Sequence, residues 1–194
     1  MKNKFYKYIE DLQNTITSKL EKVDGLGKFK EDIWEREEGG GGRTRVIENG
    51  AVFEKGGVNI SAVYGELPEV LRNQFKVKEG NFFACGLSLV LHPKNPFVPT
   101  VHANWRYFEM YDEAGNIVTQ WFGGGQDLTP YYLFDEDARH FIRFVNPLAT
   151  SIIQHFIRSL KKPVMSIFGI HTETKHVELA VCSLIIRKRQ KLSQ

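Results

Sequence analysis

The chain has 194 residues, of which 42% are hydrophobic, 25% charged and 12% aromatic. That balance is globular, the length suits one domain with a real core, and no apolar run reaches the roughly 20 residues of a membrane-spanning helix. The net charge of +3 is uneven: residues 1–141 carry 17 Lys and Arg against 21 Asp and Glu, residues 142–194 carry 9 against 2. Two cysteines, Cys85 and Cys182, give neither a disulfide framework nor a zinc motif. The opening MKNKFYKYIEDLQ lacks an apolar signal region, so a cytoplasmic location is the expectation.

Phe5, Tyr8, Ile9, Leu12, Ile16, Leu20 and Val23 recur at helical spacing, with lysines and carboxylates between them. This is an amphipathic helix that stops near Asp24-Gly25. Its work is packing; Glu10, Asp11 and Glu21 break up the basic face that a membrane-surface helix needs. From Asp32 to about Tyr132 short apolar runs alternate with turn residues. Asn49-Gly50 signals a hairpin. ACGLSLVLH, VHANWRYFEMY and NIVTQWFGG read as strands, the last two joined by the turn-rich DEAGN. Sequential strands on short connections predict an antiparallel sheet. ELPEVLRNQF reads as a short helix between strands, and DEDARHF as a helix start with acidic residues in its first turn. Beyond Phe141 no sustained period of either kind remains.

Three segments carry candidate chemistry. Glu38 is followed by Gly39-Gly40-Gly41-Gly42 and Arg43-Thr44-Arg45; without a GK[ST] ending it is no phosphate loop, and the glycines alone favour a flexible loop. Ser88 to Pro96 leads through His92 to the strand bearing His102, Asn104, Trp105 and Arg106. Alternation places His102, Asn104 and Arg106 on one strand face, a row suited to acid/base work and carboxylate binding. A single histidine there would read as a capped polar residue; the combined row points to function. Trp121-Phe122-Gly123-Gly124-Gly125-Gln126-Asp127 either admits a flat ligand to the backbone or forms a glycine-rich turn among core aromatics. Neither a G-x-S-x-G elbow nor a dinucleotide fingerprint in a βαβ setting is present.

The stretches WEREEGGGGRTRVIENGAVFEKGGVNISAVYG, GLSLVLHPKNPFVPTVHANWRYFE and WFGGGQDLTPYYLFDEDARHF resemble, in order, the oxygen-dependent coproporphyrinogen III oxidase family over roughly residues 30–141. The resemblance implies an α+β fold, a flat antiparallel sheet flanked by helices, working as a homodimer. It implies oxidative decarboxylation of two propionates of coproporphyrinogen III to vinyl groups, giving protoporphyrinogen IX in haem synthesis. Molecular oxygen is the acceptor, and no organic cofactor is needed. It makes Ser88, Asn104, Trp105 and Arg106 substrate contacts, His102 the proton donor and Asp127 a substrate contact toward the pyrrole nitrogens. His92 and His102 match candidate ligands of a divalent metal ion. Neither a nucleic-acid partner nor a membrane span is expected: Arg187-Lys188-Arg189 is the one basic cluster of the tail and has no aromatic platform beside it.

The resemblance stops at Phe141, and the family's C-terminal portion is missing from the sequence. His140, His155, His171 and His176 match no family ligand. The genetic code accounts for the break. Read one nucleotide over, residues 142–162 permit HSVCKSACDKHHPAFYPKFKK and residues 163–186 permit TCDEYFWNTHRNEARGVGGLFFDY, the missing family motifs in order. The expected organisation is therefore residues 1–141 as the N-terminal part of the oxidase-like domain, and residues 142–194 as an out-of-frame tail. Such a tail is expected to leave the sheet with an unpaired edge, and the chain unstable and with little or no oxidase activity. The competing reading is a non-catalytic remnant that binds the porphyrinogen or dimerises.

Overall fold

A computed structural model describes residues 1–75, 77–143, 164–171 and 180–188, the last two stretches as backbone only. His155 and His176 lie outside the described residues. Helix α1 (Lys2–Asp24) is followed by strands β1 (Lys30–Glu35), β2 (Gly40–Glu48) and β3 (Phe53–Glu66), helix α2 (Glu69–Phe75), and strands β4 (Asn81–Pro93), β5 (Thr100–Tyr111) and β6 (Ile117–Thr129). A helical stretch covers residues 135–143. Strands β7 (Val164–His171) and β8 (Ala180–Lys188) complete the described elements. All eight strands form one antiparallel sheet in the order β1-β2-β3-β4-β5-β6-β8-β7. The architecture is α+β, a broad antiparallel sheet with few helices.

One face of the sheet is covered by α1. The helix buries Phe5 and Ile9 against Val58, Ile60, Cys85, Leu87, Tyr107 and Phe122. These strand residues alternate with polar ones, so each strand offers α1 one apolar face. Gln13, fully buried on the same helix face, donates to the carbonyls of Val58 at 2.7 Å and Arg43 at 2.9 Å. Its own oxygen accepts from Arg43 Nε at 2.7 Å, so a buried amide is satisfied at both ends. Farther along this face the hydroxyls of Tyr107 and Tyr111 donate to the buried Glu109 carboxylate. Burial, with that carboxylate beside them, pushes both phenols well above their usual range.

The end of α1 is tied to the first long hairpin by one side chain. Gly25 takes φ 76° and its N–H bonds Glu21, the left-handed cap that stops the helix. The preceding Asp24 is buried, and its carboxylate accepts from the N–H groups of Gly27 (2.5 Å), Ala51, Val52 and Phe53 (each 2.9 Å). The Phe53 N–H above all, with those of Gly27, Val52 and Ala51, outweighs burial and holds this carboxyl far below the usual carboxylate range. Asn49, with φ 55°, and Gly50 make the hairpin turn; a Cβ on Gly50 would stand 2.2 Å from the Asp24 carboxylate, so no side chain fits there.

Two sequence expectations change here. The run Gly39–Gly42 is not a loose loop: the turn closes at Arg36–Gly39, and Gly40–Gly42 are the first residues of β2. Gly42 is needed because the Trp34 ring lies across it, 2.4 Å from where a Cβ would be. The expected unpaired edge beside β6 is also absent, since β8 pairs along it from Gln120↔Lys188 to Leu128↔Ala180. An open strand edge asks a partner only for backbone groups and strand propensity. AVCSLIIRK supplies both, whatever frame it came from.

Two outcomes test this fold. Ile9→Ala removes a fully buried side chain from under the sheet and should lower unfolding free energy by about 2–5 kcal/mol in urea titrations, against about 0.5 or less for the exposed Tyr8→Ala. Because Asp24 has a depressed folded-state pKa, its contribution is full above the unfolded value of about 4 and is lost as pH falls below it. The urea midpoint should therefore drop from pH 6 to pH 3, and Asp24→Asn should flatten that drop while lowering the midpoint at pH 6.

Candidate active site on the open sheet face

The face opposite α1 is covered at one end, where Leu67 and α2 pack on Phe108 and Met110, and is open over the rest. Cross-strand register arranges its side chains in ranks running across the strands. One rank is Thr44, Asn59, Ser88, Asn104 and Gly125. The next is Trp34, Gly42, Ser61, Gly86, Arg106 and Gly123. On the other side of the first runs Val46, Gly57, Val90, His102 and Asp127. Amides and hydroxyls thus line the middle rank, a guanidinium stands on one side, and an imidazole–carboxylate pair stands on the other.

Small residues give the floor its flatness. A Cβ on Gly86 would meet Arg106 Cγ at 3.1 Å, so that glycine makes room for the arginine's stem. Gly123–Gly125 lie within β6 as strand residues, which settles the choice between glycine turn and open floor in favour of the floor. Gly124 points the other way, where a Cβ would lie 2.5 Å from the Asn104 carbonyl and 3.4 Å from the Trp105 ring.

Over the ranks lies a cavity of about 800 Å³. Trp34 borders it on one side; Leu71 of α2, Phe108 and Trp121 border it on the other, with Phe108 and Trp121 stacked at 5.3 Å between ring centroids. Trp34 Nε1 donates to Thr44 Oγ1 at 3.2 Å, which directs the Thr44 hydroxyl proton elsewhere. Cys85 lies beneath, and burial pushes its thiol up to about 12, so it stays a neutral core residue.

At the end of the open face His102 Nδ1 stands 3.2 Å from Asp127 Oδ1. The contact is within ion-pair distance but off the line of a hydrogen bond, leaving the buried Nδ1 without a hydrogen-bond partner among the described residues. His92 lies beside it, ring centroids 6.4 Å apart and perpendicular, with its Nδ1 3.4 Å from Thr100 Oγ1. Arg106 is exposed and has no carboxylate partner among the described residues.

Ser88, His92, His102, Asn104, Arg106 and Asp127 are therefore brought to one face. Trp105 is not: alternation turns it to the opposite face, where it packs against the core under α1. Its side chain is core, and only its backbone lies beside the site. His92 and His102, matched to metal ligands by the resemblance, stand side by side. Among the described residues no group of three or more His, Cys, Asp or Glu could hold a metal ion. In the sequence Thr44 and Trp121 stand out only as parts of glycine-rich segments, and nothing local singles out Asn59, Ser61, Trp34 or Phe108. Alternation within VNISAVYG marks Asn59 and Ser61 as sharing a face, but that Asn59 stands opposite Ser88 is a fact of register alone.

An open, flat, glycine-floored face beside a large cavity, with a guanidinium that has no carboxylate partner among the described residues, has the chemistry to accept a broad, flat, anionic ligand. The coproporphyrinogen III oxidase family model matches residues 4–176, and the chain belongs to that family. The match runs past Phe141. An oxygen-dependent coproporphyrinogen-III oxidase of Prochlorococcus marinus strain MIT 9515 is 57% identical over 132 residues, 67% of this chain and 37% of that protein. One from strain SARG is 50% identical over 147 residues, 75% of this chain and 41% of that protein. A chloroplastic one from Glycine max is 49% identical over 151 residues, 71% of this chain and 38% of that protein. The chain thus spans about two fifths of the length of these curated relatives. Among the described residues no helix is long and apolar enough to cross a membrane.

Proposed function

We propose that residues 1–141 are the substrate-binding part of an oxygen-dependent coproporphyrinogen III oxidase. In the reaction each of two propionates loses its carboxyl as carbon dioxide and one hydrogen from the carbon next to the ring. The two electrons and two protons released reduce one oxygen molecule to hydrogen peroxide, leaving a vinyl group. The electron-rich porphyrinogen itself supplies the electrons, so the protein's task is to bind, orient and move protons.

The observation that carries this reading is the placement of Arg106 beside the flat floor and the cavity, on the same strand and face as His102, whose partner Asp127 stands on the next strand. The substrate has four carboxylates. A guanidinium can take one of them bidentately, with Ser88 and Asn104 as neutral partners alongside. His102, 3.2 Å from the Asp127 carboxylate, is the group to exchange a proton with the substrate. The whole enzyme would work as a homodimer.

Residues 142–194 we read as an out-of-frame tail. What supports this is the charge break at Phe141, from an excess of four carboxylates before it to an excess of seven cations after it, together with the ordered family motifs that the shifted frame permits. The chain as it stands then binds porphyrinogen but turns it over little or not at all, since its tail does not spell the family's later motifs.

Two measurements test these readings. In anaerobic titrations with coproporphyrinogen III, Arg106→Ala should weaken binding about 10–100-fold, and Arg106→Lys should recover only part of it. Unchanged affinity in Arg106→Ala sinks the binding assignment. For the tail, restoring one base at the His140-Phe141 codons of the coding DNA should open a frame that reads HRNE and GGLFFD. If that frame is absent, or if the 194-residue chain oxidises coproporphyrinogen at a rate typical of the family, the out-of-frame reading is wrong.

A further inference from the structure

The cavity over the open face is not centred on the residues that the sequence singled out. Of those, only Ser88 and Arg106 line it; His92, His102, Asn104 and Asp127 stand outside. Its polar floor is Thr44, Asn59, Ser61 and Ser88, and its sides are aromatic or aliphatic. At the middle of that floor, on β3, the side-chain oxygen of Asn59 is shut off from solvent and has no hydrogen-bond partner among the described residues. The amide leans over Gly57, where a Cβ would come within 3.6 Å of its nitrogen. Thr44 and Ser88 flank it across the strands without satisfying the oxygen. A starved amide oxygen in an otherwise well-paired sheet is a demand for a donor. The amide turns easily about its last side-chain bond, so a donor entering from the cavity can meet it.

We propose that Asn59 is a specificity-determining residue whose side-chain oxygen accepts a pyrrole N–H of the ligand, selecting the reduced porphyrinogen over the oxidised porphyrin. This rests on the porphyrinogen reading given above and says which redox state of the ring the site takes. In a porphyrinogen the carbons bridging the pyrroles are tetrahedral, so the rings tilt and can turn their four N–H groups toward one side. In an oxidised porphyrin the macrocycle is planar, and its two N–H groups lie in that plane, out of reach of an acceptor in the floor. Strand spacing supports this seating of the ring. Two strand spacings and one two-residue step put Arg106 roughly 12 Å from Asn59, the span from ring centre to a peripheral carboxylate plus part of an arginine's reach. Asp127, three strands away and one step along, stands roughly 16 Å from Asn59, too far for both to serve the same ring centre.

The test is anaerobic titration calorimetry of the 194-residue chain with coproporphyrinogen III and, separately, coproporphyrin III. Asn59→Ala should weaken porphyrinogen binding about 10-fold while changing porphyrin binding less than about twofold. Porphyrin binding in the same variant reports that the site is still folded. Asn59→Asp, which keeps an acceptor, should preserve the preference. The inference is overturned if Asn59→Ala leaves the preference intact or loses both ligands equally, or if Asp127→Asn is the variant that abolishes it. An intact preference in Asn59→Ala, with binding still sensitive to Arg106→Ala, defeats this inference and leaves the function standing. Failure of the unaltered chain to bind either ligand defeats both.

Discussion

The register of β3 to β6 is the constraint on which the rest depends. Side chains alternate between sheet faces, so sliding β5 by one residue against β4 would turn His102, Asn104 and Arg106 under α1 and expose Tyr107, Trp105 and Ala103. The apolar partners prevent it. Leu87 and Leu89 on β4 stand opposite Trp105 and Ala103 on β5, and both pairs pack on the helix side. A guanidinium and an imidazole forced into that layer would have no partners there, at a cost well beyond a typical hydrogen bond. The core that stabilises the sheet is thus also what aims the site. The Asp24 carboxylate, on the last residue of α1 and bound to the first residue of β3, ties the helix to the same sheet.

The two faces of one sheet meet opposite electrostatic demands. Under α1, polar groups are few and paired: Gln13 with two carbonyls and an arginine, Glu109 with two phenols. On the open face they are numerous and in part unpaired, with Asn59 Oδ1 and His102 Nδ1 both lacking hydrogen bonds among the described residues. That contrast separates groups that hold the fold from groups that await a ligand. It also explains why Trp105, between two site residues in sequence, belongs to the core: a strand cannot aim three consecutive side chains at one face.

Local patterns were legible in the sequence. The α1 spacing, the Asn49-Gly50 turn, the short α2 and the common face of His102, Asn104 and Arg106 all follow from periodicity or turn chemistry that reaches only a few residues. The glycine runs misled in part. Gly39–Gly42 read as a loop because glycine is locally permissive, whereas Gly42 is required by a Trp34 ring from the neighbouring strand. The tail misled in another way: departure from family motifs gave no warning that β8 could pair with β6, because edge pairing is made by backbone groups that every sequence carries. Nothing in the sequence around Asn59 marks it, because an unmet hydrogen bond is a property of its surroundings.

By itself, then, the sequence determined helices α1 and α2 and, in outline, the strands from β2 to β6, which strand residues share a face, and the family to which the ordered motifs point. The tertiary structure alone decided that Ser88 stands between Asn59 and Asn104, that Asp127 meets His102, and that the cavity opens over β2 to β5 and away from the histidines. The division has a physical cause. Helix and strand periods are written in neighbours along the chain, whereas rank, cavity and unpaired atom arise from residues far apart in sequence, brought together by backbone pairing and by the burial of the opposite face.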